Sequence, residues 1–487
     1  MKRKCLAVGI ILLFVGTCII PAIAQESEKP SQSTSRGNWL YVGGSGPGNY
    51  SKIQDAINAS SNGDTVFVYD DSSPYLENLI INKSIHLCGE NKETTIINAG
   101  SHGNGIILTA DNVNITFFTI ENSDLYHKAI NMSNSNYSTI YRNIIKNNTG
   151  GGMLIWTSAN NNMITENIVI NNNYGITISN NFGNTIANNY IVHNKYEGIT
   201  VGSHSNNTII RNNTISSNGN FGILLGWWPE YKNNLISGNY ISNHSKGIIL
   251  SGVSNFVVSN NTIIDNGIGI DLGGIYNIII NNQIVNNSKC GLNSDISSSD
   301  NIISNNSFLK NGILNYDPNH NEFYNNTVNG RPLILLKTET GRVIENAGQI
   351  ILVDCNYITI KNQNLSHATS GLMLYNTDNC TVTNNNFSYN NIGCYLSYSS
   401  RNSFTENNFI QDERDISFIV DYLEIHNNIW TKNYFDKKIP FLPKIMIGKV
   451  ETRYGYSFMG EYVNFFRPGF YFDWHPAKEP YDIPGMR

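Results

Sequence analysis

The sequence predicts an all-β chain: a right-handed, single-stranded parallel β-helix of about 22 residues per coil, with an N-terminal helix cap and an aromatic-rich C-terminal cap. Three observations predict it. Roughly one residue in six of the 487 is Asn, far above ordinary usage. The Asn residues fall in two columns at a fixed offset, followed by a Gly column. Between the columns, apolar and polar residues alternate over short runs, the period of a strand with one buried face.

The unit can be read in Thr208-Ile-Ile-Arg-Asn-Asn-Thr-Ile-Ser-Ser-Asn-Gly-Asn-Phe-Gly-Ile-Leu-Leu225. Its first column holds Asn143, Asn167, Asn189, Asn213, Asn239, Asn261, Asn282 and Asn306. The second column, five residues later, holds Asn148, Asn172, Asn194, Asn218, His244, Asn266, Asn287 and Asn311. Gly152, Gly175, Gly198, Gly222, Gly247, Gly269 and Gly291 follow. The pattern returns at Asn385, Asn390, Gly393 and Asn407. Asn and Gly accept left-handed backbone, so they turn the chain between strands. Stacked coils pair their strands in parallel, Asn side chains bond along each column, and isoleucines fill the interior. About fourteen coils are expected, a stack of roughly 65 Å at the usual strand spacing. A leucine-rich repeat would need Leu-x-x-Leu-x-Leu and a helical return; no unit holds a helix-length segment.

The ends follow from the need to cap exposed strand edges. Ile53, Ala56 and Ile57 share one face of a short helix with Ser51 as its expected N-cap, and the coil body runs over 39–329. Residues 330–349 break the rhythm, as an excursion or as a register change between two stacks. Coils resume over 350–436, and 437–487 form the C-terminal cap, with Phe465, Phe466, Phe470, Tyr471, Phe472 and Trp474. Residues 1–24 read as a secretory signal: Lys2, Arg3 and Lys4, an apolar run from Leu6 to Ile20, and Ala22-Ile-Ala24. An uncleaved anchor is the alternative, and 25–38 read as a flexible linker. No second long apolar run follows, so the mature protein is not expected to span a membrane, although it can associate with the cell envelope. The net charge is −5, without a basic stripe, which argues against nucleic acid as a partner.

The runs Ile53-Gln-Asp-Ala-Ile57, Gly63-Asp-Thr-Val66, Glu77-Asn78, Lys83-Ser-Ile85 and Gly89-Glu90 resemble the opening coils of the NosD-like right-handed β-helix proteins of the pectin-lyase-like superfamily. Asn329-Gly-Arg-Pro-Leu333 and Ala347-Gly-Gln-Ile-Ile-Leu352 add to it, and the ending Phe472-Asp-Trp-His-Pro-Ala-Lys-Glu-Pro-Tyr481 is similar to that of archaeal surface members. The resemblance covers about 40–480. It implies a periplasmic or surface protein. One such protein is the accessory factor for copper-site maturation of nitrous oxide reductase, and wider relatives bind, cleave or epimerise polysaccharide. Calcium or copper enters only through this resemblance. Fold alone does not choose among these activities.

The residues themselves carry little chemistry. A glycosidase needs two carboxylates about 5–10 Å apart, which here means acids on adjacent coils. Glu166 stacks between Arg142 and Asn188, and Asp271 between Ile249 and Asn293, so no acid pair forms. Asn376-Thr-Asp-Asn379 is similar to a polygalacturonase run but stands alone and reads as a turn. Histidines are scattered and no Cys-x-x-Cys occurs, so no metal site is expected. Asp412-Glu-Arg-Asp415 reads as a solvated loop. Carbohydrate binding has the better signal: Trp227, Trp228, Glu230 and Tyr231 lie in an inserted loop, with Trp156 at a matching position some coils earlier. The leading expectation is a rigid surface presented to polysaccharide in the cell envelope. The alternatives are a carbohydrate-active enzyme (lyase, hydrolase or epimerase), a structural or adhesion surface protein, and a NosD-type copper-site accessory protein.

Overall fold

The computed structural model describes residues 37–226, 233–315, 320–421, 427–439, 442–452 and 465–483. The signal segment expected at 1–24 lies outside them. The described chain is a parallel β-solenoid of about 17 turns, more than the fourteen expected.

Up to residue 328 the coils form one stack with three sheets. The first has 13 strands, from Trp39–Val42 to Glu322–Tyr324. The second runs from Tyr75–Leu76 to Thr327–Val328. The third has 11 strands, from Leu79–Ile81 to Ile313–Asn315. Equal steps in sequence place like residues over one another: Ile140, Ile164, Ile186, Ile210 and Ile236 are register partners and are all buried. Fully burying each side chain of such a file contributes about 1.5–3 kcal/mol.

The amide columns run in one direction. The N–H of Asn189 donates to Oδ1 of Asn213 at 2.9 Å, its Nδ2 donates to the same oxygen at 3.0 Å, and Nδ2 reaches back to the carbonyl of Ile164 at 2.9 Å. Each coil therefore donates forward and accepts from behind. A third amide column at the turn from the third sheet to the first holds Asn162, Asn184, Asn234, Asn277, Asn301 and Asn321. It is masked in the sequence because Thr208 and Phe256 interrupt it. The left-handed residues are those just before each ladder Asn, such as Arg142 (φ 55°), Glu166 (φ 53°) and Asn188 (φ 57°). The Gly column has a different cause from the one expected. Gly175 is not left-handed; a Cβ there would lie 2.2 Å from the carbonyl oxygen of Gly198 on the next coil.

The cap helix spans Ile53–Ala59 with Ile53, Ala56 and Ile57 inward. Lys52, not Ser51, occupies the N-cap position and gives no side-chain cap. The first N–H groups donate instead to the Glu77 carboxylate of the neighbouring coil, from Ile53 at 2.8 Å and Gln54 at 3.0 Å. At the other end, Lys83 Nζ donates to the carbonyls of Ile57, Asn58 and Ser60 at 3.1, 2.6 and 2.7 Å. An anion at the N-terminus and a cation at the C-terminus both oppose the helix dipole favourably.

At Asn329-Gly330 the chain reverses. Thr327–Val328 pairs antiparallel with Arg331–Pro332 across a two-residue loop whose φ angles are 51° and 75°, the geometry of a type I′ turn. Arg331–Lys337 then opens a second stack, whose sheets contain Gln349–Val353, Thr359–Lys361 and Asn364–Ser366. Its core is more aromatic, with Phe387, Phe409 and Phe435 stacked at 5.0 and 4.9 Å. The outward residues Ile351 and Met373 are also buried, in a cluster with Leu314 of the first stack. Both faces of this sheet are therefore covered, which is why Gln349–Val353 and Ser370–Tyr375 are buried throughout. Gly330→Ala meets no atom within 4 Å, so its cost is the left-handed backbone alone. A loss of about 1–2 kcal/mol in chemical denaturation is expected.

Among the described residues no helix is long and apolar enough to cross a membrane.

Candidate functional site

The turn from the second sheet to the third exposes side chains on both sides of the second amide column. Because coils repeat, these positions line one continuous edge of the first stack. Three cavities lie along it. The first, about 370 Å³, is lined by residues including Asn78, His102, Asn104 and His127. The middle one, about 360 Å³, has Asn147, Thr149, Asn171, Asn173, His193 and Lys195. The last, about 210 Å³, lies where the two stacks meet.

Beside the middle cavity the edge carries aromatic rings and cations. Tyr174 and Tyr196 stack at 4.9 Å. Lys128 Nζ lies 5.8 Å from the Tyr174 ring centre and Lys195 Nζ 5.2 Å from that of Tyr196. Burial pushes the Lys128 ammonium below its usual range, and it donates to the Gly150 carbonyl. Asp124 is held down to about 2 by the N–H of Gly103 and then by His127, whose Nδ1 lies 2.7 Å away. The edge thus combines amides that can donate and accept, apolar ring faces, and cationic side chains. The ladder residues Asn148, Asn172 and Asn194 behind it are buried and bonded to one another, so they hold the surface in place.

The residues singled out in the sequence are distributed differently. Trp156 is 43% exposed on the outer face of the third sheet, its Nε1 bonded to Asn131 Oδ1 at 3.0 Å. Its register partners are Ser133 and Ser179, so the ring stands over small neighbours. Trp227, Trp228, Glu230 and Tyr231 lie outside the described residues. The first-column residues Asn143 through Asn306 are buried in the stack. The signal for the edge was present only in part, as His193 and Lys195 beside Asn194 and Lys310 beside Asn311, and it emerges only when successive coils are aligned.

The acids are engaged. Glu166 pairs with Arg142 at 2.8 Å. Asp271 accepts from Lys246 at 2.5 Å and from Asn293 at 2.7 Å, and Asp378 holds Arg401 at 2.6 Å and the N–H of Ser400 at 2.8 Å, as a turn residue does. In Asp412-Glu-Arg-Asp415 only Glu413 and Arg414 are exposed as a solvated loop would be. Asp412 is fully buried and Asp415 nearly so, with Lys444 Nζ 2.5 Å from Asp415. Burial drives Asp412 up to about 8 and raises Asp415 as well. Sealed from solvent, Asp412 has no route to a substrate.

Fold and edge together define a parallel β-solenoid with an open turn face. The chain belongs to the NosD family, described as periplasmic copper-binding protein, whose model matches residues 57–244 and 334–439, more than half of the sequence. A right-handed β-helix region model matches 226–328. No curated protein matches the chain. Among solved structures it is similar in fold to the Dettilon tailspike protein, with 18% identity, TM-score 0.42, and 56% of this chain and 64% of that one covered. It is similarly related to the A-module of the Azotobacter vinelandii mannuronan C-5 epimerase AlgE6, with 17% identity, TM-score 0.44, and 71% and 90% covered. Pectate lyase Pel9A gives 15% identity, TM-score 0.38, and 61% and 78% covered.

The copper named by the family description does not fit these residues. Among the described residues no group of three or more His, Cys, Asp or Glu could hold a metal ion. Cys290, Cys355, Cys380 and Cys394 are buried, and burial pushes their thiols above the usual range, away from the thiolate a soft metal needs.

Proposed function

We propose that this chain is a cell-envelope β-helix protein that holds polysaccharide along the edge between its second and third sheets and presents it without cleaving it. The observation that carries this reading is the alignment of three cavities and the stacked Tyr174–Tyr196 pair on one edge of a scaffold fixed by amide ladders. Sugar hydroxyls both donate and accept, as do the Asn side chains that line the cavities. The apolar faces of sugar rings pack on aromatic faces, and an extended repeating ligand suits a periodic surface.

A glycan array read with the full chain and with Tyr174→Ala/Tyr196→Ala tests this. Losing two ring contacts is expected to weaken retention about tenfold, with an unchanged melting temperature. Trp156→Ala, on the adjoining face, is expected to weaken it less. Unchanged retention by the Tyr double variant, an array that retains nothing, or release of reducing ends from a bound glycan would each overturn the reading.

A further inference from the structure

The cavity between the stacks differs from the other two. Two lysines, Lys289 and Lys310, line it from the first stack, and His367 and Tyr389 line it from the second. The imidazole and phenol rings stack at 4.9 Å and 6°, and Tyr389 is 51% exposed. Nothing described neutralises the lysines: among the described residues no carboxylate forms an ion pair with either. Asp265 on this edge already accepts from Asn286 Nδ2 at 2.6 Å. The walls are fixed to each other. Asn391 Nδ2 crosses between the stacks to the carbonyls of Ser288 at 3.1 Å and Lys289 at 2.6 Å. Asn329 Nδ2 crosses to the carbonyl of Ser366 at 2.7 Å, and the Gly312 N–H to Thr369 Oγ1 at 3.0 Å.

We infer that this inter-stack cavity is a subsite for a carboxylated sugar, a uronate unit of the polysaccharide held on the edge. The inference rests on the polysaccharide reading above and adds a charge requirement to it. Two lysines without an ion-pair partner line one cavity, and an anion held there offsets the repulsion between their like charges. A compact inorganic anion would use the lysines but leave the Tyr389 ring idle, whereas a neutral sugar would use the ring but leave the lysines unpaired. A uronate uses both: its carboxylate faces Lys289 and Lys310 and its apolar ring face lies on Tyr389. The volume of about 210 Å³ corresponds to roughly seven waters at ~30 Å³ each, space for one sugar ring. The cavity opens onto the same edge as the other two, so a chain seated there can continue along the first stack.

The test is calorimetric titration of the full chain at low ionic strength, where charge pairing is least screened, with short oligouronates, neutral xylo-oligosaccharides and inorganic phosphate. Wild type is compared with Lys289→Gln/Lys310→Gln and with Tyr389→Ala, each checked for an unchanged melting temperature. Oligouronate binding is expected to weaken about tenfold in the lysine variant and about threefold in the tyrosine variant, while neutral-glycan binding is unaffected by the lysine change. Equal affinity for charged and neutral oligosaccharides, insensitive to the lysines, would overturn the uronate subsite and leave the polysaccharide reading standing. Phosphate competing as well as oligouronate would reduce the cavity to a plain anion site and also overturn it. Absence of binding to either glycan would remove both readings together.

Discussion

Replacing Asn213 with alanine is expected to destabilise the first stack by about 4 kcal/mol, far more than an exposed substitution. Asn213 is buried. Its Nδ2 donates to the Ile186 carbonyl and to Asn239 Oδ1, both at 3.0 Å, and its Oδ1 accepts from the Asn189 N–H and Nδ2. Alanine leaves the N–H and Nδ2 of one coil, and Oδ1 of the next, with fewer partners inside a dry turn. Each buried polar group left unsatisfied costs about 1–3 kcal/mol. Coils in a solenoid support only their neighbours, so the lesion weakens coupling between the two halves of the stack. Thermal denaturation followed by circular dichroism, with Thr214→Ala on the outer face as the control, measures the difference. A cost for Asn213→Ala no larger than that of the control would mean that the ladder bonds contribute little net stability.

Asp412→Asn is expected to stabilise the protein, increasingly so at higher pH. Asp412 occupies the last position of an amide column in the second stack. Its Oδ1 accepts from the Asn390 N–H at 2.7 Å, while the buried Oδ2 has no partner. In the coil before, Asn390 Nδ2 donates to the Leu365 carbonyl at 2.9 Å, and an amide at 412 could make the corresponding bond to the carbonyl of Phe387. The pH dependence follows from burial, which lifts the folded carboxyl from an ordinary 3.8 to about 8. Below pH ~4 the group is protonated in both states and its contribution is fully present. As pH rises from about 4 to about 8, the unfolded chain releases the proton while the folded chain retains it, so stability falls, and it levels off above the folded value. Asp412→Asn removes this slope and is expected to gain on the order of 3 kcal/mol at pH 9 but little at pH 4. Asp415, also raised by burial but bonded to Lys444, keeps its own smaller dependence in both proteins. Parallel denaturation curves at the two pH values would contradict the argument.

The direction of the ladders explains why an acid can stand at a column end. Each coil donates forward, so the final member only needs to accept. Asp473 does this for another column, with Oδ2 accepting from the Asn433 N–H at 2.9 Å and Nδ2 at 3.0 Å. The sequence marks Asp473 only as part of a charged, aromatic C-terminal block. That it terminates a ladder depends on the strand Phe465–Asp473 folding back antiparallel on Lys444–Thr452, a pairing with no periodic signature.

Legibility follows the same division. The two columns of Asn, the inward files from Ile140 to Ile236, and the cap helix at Ile53–Ala59 could be read because each depends on residues at fixed sequence steps, and a solenoid converts such steps directly into contacts. The helix termini could not be read locally, since Glu77 and Lys83 supply them from another coil. Nor could the inter-stack cavity: Lys289 and Lys310 are far in sequence from His367 and Tyr389, and only the reversal at Asn329-Gly330 turns the second stack so that they meet. By itself the sequence determined the repeat, its period, which face of each strand is buried and the family. Tertiary structure decided where the stack breaks, which edge is open, and which charges are sealed or exposed, because those depend on contacts between residues with no common period to announce them.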